Sequence, residues 1–227
     1  MTSRRLARIG LSAATLIAGI SAMTYGVEKW RLNNALPAVV GEIVEQDGKN
    51  VHVWVQGTGP DVILLHGASG NLRDFTYSLA PKLAQHFRVI AFDRPGLGYS
   101  DPLHTNGESP QDQAKHLSQV ADKLDVSQAV IVGHSFGGSV AMAWALERPD
   151  QAAALVSLAG AVNPWPGGLG LWYDIVGSRL GGATVVPLLS AFVPRGLAAN
   201  SVAAIFAPDA VPNGYTDEIG IELTLRS

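Results

Sequence analysis

Ser135 stands in the run Gly133-His134-Ser135-Phe136-Gly137, with a glycine two residues to either side of the hydroxyl. A serine is a weak nucleophile until its surroundings activate it. This spacing meets a first requirement, a turn tight enough to push the side chain out at its apex. Ahead of it, Ala129–Val132 has the β-branched apolar content of a buried strand, and behind it Val140–Leu146 reads as helix. Such a strand-to-helix reversal exposes Ser135 at a helix N-terminus, where the dipole favours negative charge. It also aims the Phe136 backbone N–H at the space where an oxyanion would form.

The other residues with chemical potential sit in plainer contexts. His66 follows a strand directly and is expected to pack and hydrogen-bond beneath the turn His66-Gly67-Ala68-Ser69-Gly70. His134 lies on the strand side of Ser135, and alternation along a strand directs its ring away from the serine. Asp93 is expected to fix a turn, and His52, His86, His104 and His116 are expected to be solvated or ordinary surface histidines. With no cysteine in the chain, disulfides and thiolate metal sites are excluded, and neither a metal nor a cofactor is expected.

The elements that must position these residues alternate. Val39–Val44 and Val51–Val55 flank Gln46-Asp47-Gly48-Lys49, a hairpin signal. Asp61–Leu65 is a strand running into the glycine turn, after which Phe75, Leu79 and Leu83 recur at helical spacing. Val89–Phe92 is a strand ending in Asp93-Arg94-Pro95-Gly96-Leu97-Gly98-Tyr99-Ser100. Then comes a helix capped by Ser109, with Pro110 at its first position, Asp112 near its positive end, and Leu117, Val120, Ala121 and Leu124 on its buried face. The elbow strand and its helix follow, stopped by Pro149, and Ala153–Leu158 is one more strand. Strands alternating with helices imply a mainly parallel α/β sheet covered on both faces, with ligands at the C-terminal strand ends.

Three separated motifs, His66-Gly67, Asp93 to Ser100 and Gly133 to Gly137, resemble the α/β-hydrolase family in order and spacing from about Val39 to Gly160. The resemblance implies that Ser135 attacks a carbonyl carbon and that the backbone N–H groups of Ala68 and Phe136 form the oxyanion hole. Serine at the apex is similar to the esterase, lipase and peptidase branch, whereas dehalogenases and epoxide hydrolases of similar sequence carry aspartate there. The resemblance also implies a helical cap after the sixth strand, over Leu169–Leu180, Val185–Phe192, Leu197–Phe206 and Tyr215–Leu225. Trp165, Trp172 and Tyr173 are its pocket or hinge candidates, or simply packing between cap and core. Family members place the triad acid and then the histidine after later strands. Asn163, where some members carry the acid, cannot take that role unchanged, and no histidine follows Ser135. The triad acid and histidine are therefore expected beyond Ser227. The chain is read either as a piece of a serine hydrolase, inactive or weak alone, or as a shortened descendant with a binding or scaffold role. Perhydrolysis or C–C hydrolysis on the same elbow stays open.

With 227 residues, 47% hydrophobic and 15% charged, the chain can bury one sizeable core. A net charge of −3 without a basic run gives a nucleic-acid partner no electrostatic basis, so the expected partner is a small acyl or ester substrate. Arg4, Arg5 and Arg8 precede the uncharged stretch Ile9–Val27, which as a helix would span roughly 28 Å, about the hydrocarbon thickness. An uncleaved single-pass anchor is favoured over a cleaved signal peptide, because small-x-small pairs are few (Gly19 with Ser21, Thr24 with Gly26). The arginines stay cytoplasmic, which puts the rest outside. The expected divisions are a 1–36 anchor or signal with linker, a 37–162 α/β-hydrolase core of six strands with a sheet incomplete at the C-terminus, and a 163–227 helical cap.

Overall fold

The computed structural model describes residues 15, 19, 22–27, 30, 37–104, 108–163, 171–176, 178, 181, 185 and 195–220. Its centre is a six-stranded sheet in the order β1-β2-β4-β3-β5-β6. The strands are β1 (Glu42–Gln46), β2 (Lys49–Gln56), β3 (Asp61–Leu65), β4 (Arg88–Phe92), β5 (Ala129–His134) and β6 (Ala152–Leu158). β1 and β2 form an antiparallel hairpin, β2 pairs antiparallel with β4, and β4, β3, β5 and β6 run parallel. The hairpin turn is a primed one: Asp47 and Gly48 have φ of 51° and 73°, as a two-residue Asp-Gly loop requires. The strand order turns back at β3, which lies between β4 and β5, and this brings the C-terminal ends of β3 and β5 side by side.

Alternation along the strands divides the core. Ile63 and Leu65 face the same side as Phe92, Ile131 and Trp144, while Val62 and Leu64 face the side of Leu72, Phe75 and Ala80. On the first side lie α3 (Pro110–Lys123) and α4 (Phe136–Glu147); on the second lie α1 (Arg73–Thr76) and α2 (Leu79–Leu83). The start of α3 is set by a capping box: Ser109 Oγ accepts from the Asp112 N–H, and the Asp112 carboxylate accepts from the Ser109 N–H. Trp144 is fully buried and donates its indole N–H to Gln151, 2.8 Å away, so truncation to alanine would cost about 3–5 kcal/mol.

The structure departs from the sequence expectations at definite places. The helical spacing of Phe75, Leu79 and Leu83 is split between α1 and α2, because Pro81 cannot donate to the carbonyl of Tyr77 and its ring opposes a continuous turn there. β1 starts at Glu42, after Gly41 at a φ of 85°. His52 and His116, expected at the surface, are 1% and 7% exposed. Both sit on the inward side of their elements, and His52 finds a carboxylate partner there, Asp93, with Nδ1 2.6 Å from Oδ2. β6 forms an edge among the described strands, with Val156 and Leu158 about 40% exposed.

Three side chains from separate elements strap the segment before β1 to the core. Tyr99 donates its hydroxyl to the Pro37 carbonyl, Arg73 donates to that of Ala38, and His52 Nε2 donates to that of Val40. Most of the 9–27 stretch lies outside the described residues; 22–27 are helical, and no helix among the described residues is long and apolar enough to cross a membrane. Of the expected cap helices, α5 (Leu171–Val176), α6 (Arg195–Phe206) and α7 (Tyr215–Glu218) are present. Trp165, nearly all of Val185–Phe192, and the side chains of Trp172 and Tyr173 lie outside the described residues.

Candidate active site

Ser135 occupies a backbone conformation of φ 50° and ψ −119° between β5 and α4, as the residue preceding the first helical turn. A non-glycine residue at positive φ is strained by ~1–3 kcal/mol and persists only where its surroundings over-determine it. They do so here. The Ser135 N–H donates to the Leu158 carbonyl at the end of β6, and its own carbonyl accepts from Gly138 and Ala161, each at 2.9 Å. The glycines make the reversal possible by close approach: a Cβ on Gly137 would strike the carbonyl oxygens of Leu65 and His66, and one on Gly133 would strike Gly137. Ser135 Oγ is half-buried and makes no hydrogen bond to a described residue.

The glycine turn after β3 lies against this elbow. A Cβ on Gly67 would stand 3.2 Å from the Ser135 Cβ and 3.1 Å from His134 Nδ1, so the backbone of the glycine turn closely approaches the serine. Ala68 and Ser69 are exposed, and Ser69 has a φ of 54°. Neither the Ala68 nor the Phe136 N–H is bonded to a described residue, leaving two donors at the site from the two loops. His134 is exposed at the end of β5, paired with Leu158 of β6, and its Nδ1 lies 3.1 Å from where a Cβ on Gly67 would stand.

His66 is fully buried and both of its nitrogens are engaged. Nε2 accepts from the Arg94 N–H at 3.0 Å, so the proton sits on Nδ1, which donates to the Gly67 carbonyl at 2.9 Å. Burial, reinforced by the Arg94 charge, lowers its pKa to about 3, so it stays neutral and unavailable to Ser135. Asp93 is likewise fully buried: Oδ1 accepts from the Leu72 N–H at 2.7 Å, Oδ2 from the Tyr99 N–H at 2.9 Å, and His52 completes the set. It therefore fixes two loops at once, the one after β4 and the one leading into α1. Beside the glycine turn, burial raises the Asp74 carboxyl to about 6, and Tyr215 of α7 donates to it at 3.2 Å. The neighbouring contacts, Asn71 to the Ile219 carbonyl at 2.9 Å and Arg73 to Glu218 at 3.3 Å, dock residues 213–219 on the segment that follows the turn. Asn163 is exposed just beyond β6, and no cluster of metal-ligating side chains occurs among the described residues. Asp74 and Arg94 escaped the sequence reading; the one signal for Arg94 was its place in the loop after β4.

Residues 60–199 match the family described as the alpha/beta hydrolase fold. Among similar proteins, a 2-hydroxy-6-oxo-2,4-heptadienoate hydrolase of Pseudomonas putida is 32% identical over 128 residues, which is 56% of this chain and 46% of that protein. A 2-hydroxy-6-oxononadienedioate/2-hydroxy-6-oxononatrienedioate hydrolase of Cupriavidus pinatubonensis is 33% identical over 117 residues, 50% of this chain and 40% of that one. The chain thus spans less than half the length of these curated relatives. Among solved structures, Est816, described as an N-acyl homoserine lactone degrading enzyme, is 27% identical with a TM-score of 0.53, covering 81% of this chain and 74% of that one. The epoxide hydrolase CorEH shares the fold at 21% identity and a TM-score of 0.65, covering 81% and 70%. By its strand order, its strained turn after β5 and the match over 60–199, this chain belongs to the α/β-hydrolase-fold family.

Proposed function

We propose that this chain carries the nucleophile and the oxyanion donors of a serine hydrolase acting on an ester or related acyl substrate. Ser135 is the nucleophile, and the Ala68 and Phe136 N–H groups receive the oxyanion. The observation that carries this is the strained Ser135 conformation, its Oγ unengaged among the described residues and its Cβ close to Gly67. Strain held by three backbone hydrogen bonds has no packing purpose at a half-buried serine, whereas it presents Oγ to a ligand. Residues 37–162 form the catalytic core in this reading and 163–227 the cap. The arginine-led stretch at 9–27 tethers the core to a membrane, on the extracytoplasmic side, a reading supported by its charge asymmetry and lack of charged residues.

Activation of Ser135 needs a base. No histidine follows it, and His66 is locked neutral beneath the turn. A fluorophosphonate probe is therefore expected to label Ser135 slowly in the 227-residue chain, and Ser135→Ala to abolish the labelling. Labelling that survives Ser135→Ala refutes the assignment, and rapid Ser135-dependent labelling shows that the described histidines already supply a base. A second reading, C–C bond hydrolysis on the same elbow, is favoured by the similarity to the 2-hydroxy-6-oxo-dienoate hydrolases. Turnover of such a dienoate in preference to p-nitrophenyl esters would select it.

A further inference from the structure

We propose that Arg94 is a positioning residue for the oxyanion hole, clamping the Gly67–Ala68 peptide so that its N–H faces Ser135. The proposal rests on the serine-hydrolase reading above and adds the part of the chain that holds one of the donors in place.

The Gly67 carbonyl and the Ala68 N–H belong to one planar trans peptide, so fixing the direction of the first fixes the opposite direction of the second. Three donors converge on that carbonyl: Arg94 Nη2 at 2.8 Å, His66 Nδ1 at 2.9 Å and the Gly70 N–H at 3.3 Å. Arg94 also donates from Nε to the preceding carbonyl, that of His66, at 2.8 Å. A guanidinium fork on two successive carbonyls resists rotation of the peptide between them, which a single-point donor would allow. Hydrogen bonds accepted at a carbonyl further polarise its peptide and strengthen the N–H on the other side.

The same guanidinium reaches the second donor. Its carbon lies 4.9 Å from the centroid of the Phe136 ring, so the residue that supplies the other N–H packs against it. Arg94 is 2% exposed and its Nη1 is held by Gln113 Oε1 at 2.8 Å. Burial lowers its pKa to about 10, which leaves it charged at neutral pH, and Glu108 and Asp93 help to keep it so. A buried positive charge thus lies against the Gly67 carbonyl and the Phe136 ring, at the base of both loops, where it favours a developing oxyanion.

The test compares Arg94→Lys, which keeps the charge and loses the fork, with Gln113→Leu, which keeps the arginine and removes its outer anchor. Two readouts are taken on the 227-residue chain: the Gly67 carbonyl-carbon and Ala68 amide resonances, and the affinity of Ser135 for phenylboronic acid, whose adduct is a tetrahedral anion. In Arg94→Lys both resonances should move and boronate affinity should fall about 10-fold, a fraction of the loss on deleting a whole donor. Gln113→Leu should move both readouts in the same direction by less. Resonances that stay put in both variants overturn the clamp, whatever Ser135 does. So does an affinity loss that follows only the loss of melting temperature. Failure of phenylboronic acid to bind at Ser135 in the unmodified chain refutes the serine-hydrolase reading instead, while the two resonances still report whether Arg94 holds the peptide.

Discussion

Replacing Asp74 by asparagine is expected to stabilise the protein above neutral pH and to change nothing below pH 4. Burial raises this carboxyl from 3.8 to about 6, so the folded protein binds its proton more tightly than the unfolded chain does. A group raised in this way contributes stability that is fully present below pH 3.8 and is lost as pH rises through about 6. At about 1.4 kcal/mol per pH unit, the gap sets an upper bound of about 3 kcal/mol. The Asp74 side chain is only partly enclosed, so solvent screening brings the expected difference to about 1–2 kcal/mol. The amide keeps an oxygen for the Tyr215 hydroxyl and carries no charge, which isolates the titration from the contact. Urea unfolding of both proteins at half-unit steps from pH 3.5 to 8 measures it. The variant should match the original chain at the acid end and exceed it progressively between pH 4 and 6.5, with a plateau above. In thermal melts the plateau corresponds to about 3–6 °C. A difference that is constant across the range, or that grows toward low pH, refutes the assignment of Asp74 as a carboxyl buried at a cost.

Gly137→Ala should prevent correct folding or lower stability by more than ~3 kcal/mol, since its methyl meets two backbone carbonyls that cannot move aside; a soluble variant with an unchanged melting temperature would contradict the close approach. Residues 37–227 should self-associate or exchange amide hydrogens quickly along β6, whose apolar residues are exposed at the sheet edge. Strong protection at Val156 in a monodisperse monomer would count against this. If the stretch at 9–27 is an uncleaved anchor, the chain should remain with membranes after carbonate washing and retain Met1, whereas soluble protein beginning near Ala22 to Val27 would show a cleaved signal.

Local signals were legible where the chemistry is local. Asp61–Leu65 matches its strand residue for residue, the Ser109-Pro110 signal gave the start of α3, and Asp47-Gly48 gave the hairpin. The elbow was readable because glycines at fixed offsets from a serine are themselves the structural cause of the turn. What escaped depends on distance along the chain. His52 and Asp93 are 41 residues apart and meet only because β2 lies antiparallel to β4, so neither position taken alone announces a buried pair. Asp74 is an ordinary residue of a short polar stretch until Tyr215, 141 positions later, closes over it. The division of the helix after β3 could have been read from Pro81, but the apolar spacing on either side masked it.

The straps on residues 37–40 bear on mechanics. Each uses a backbone carbonyl of the segment as acceptor, and the donors come from β2, from the loop after β4 and from α1. Because every residue type offers the same carbonyl, the exposed side chain at 38 is free to vary without loosening the attachment, whereas Val40 adds packing against the core. A pull on the N-terminal end, such as a tethered protein would feel, is shared by Tyr99 and Arg73, rooted in the loop after β4 and in α1, together with His52 of the hairpin itself. The outer hairpin, which would otherwise peel away one hydrogen bond at a time, is spared the part of the load that Tyr99 and Arg73 carry.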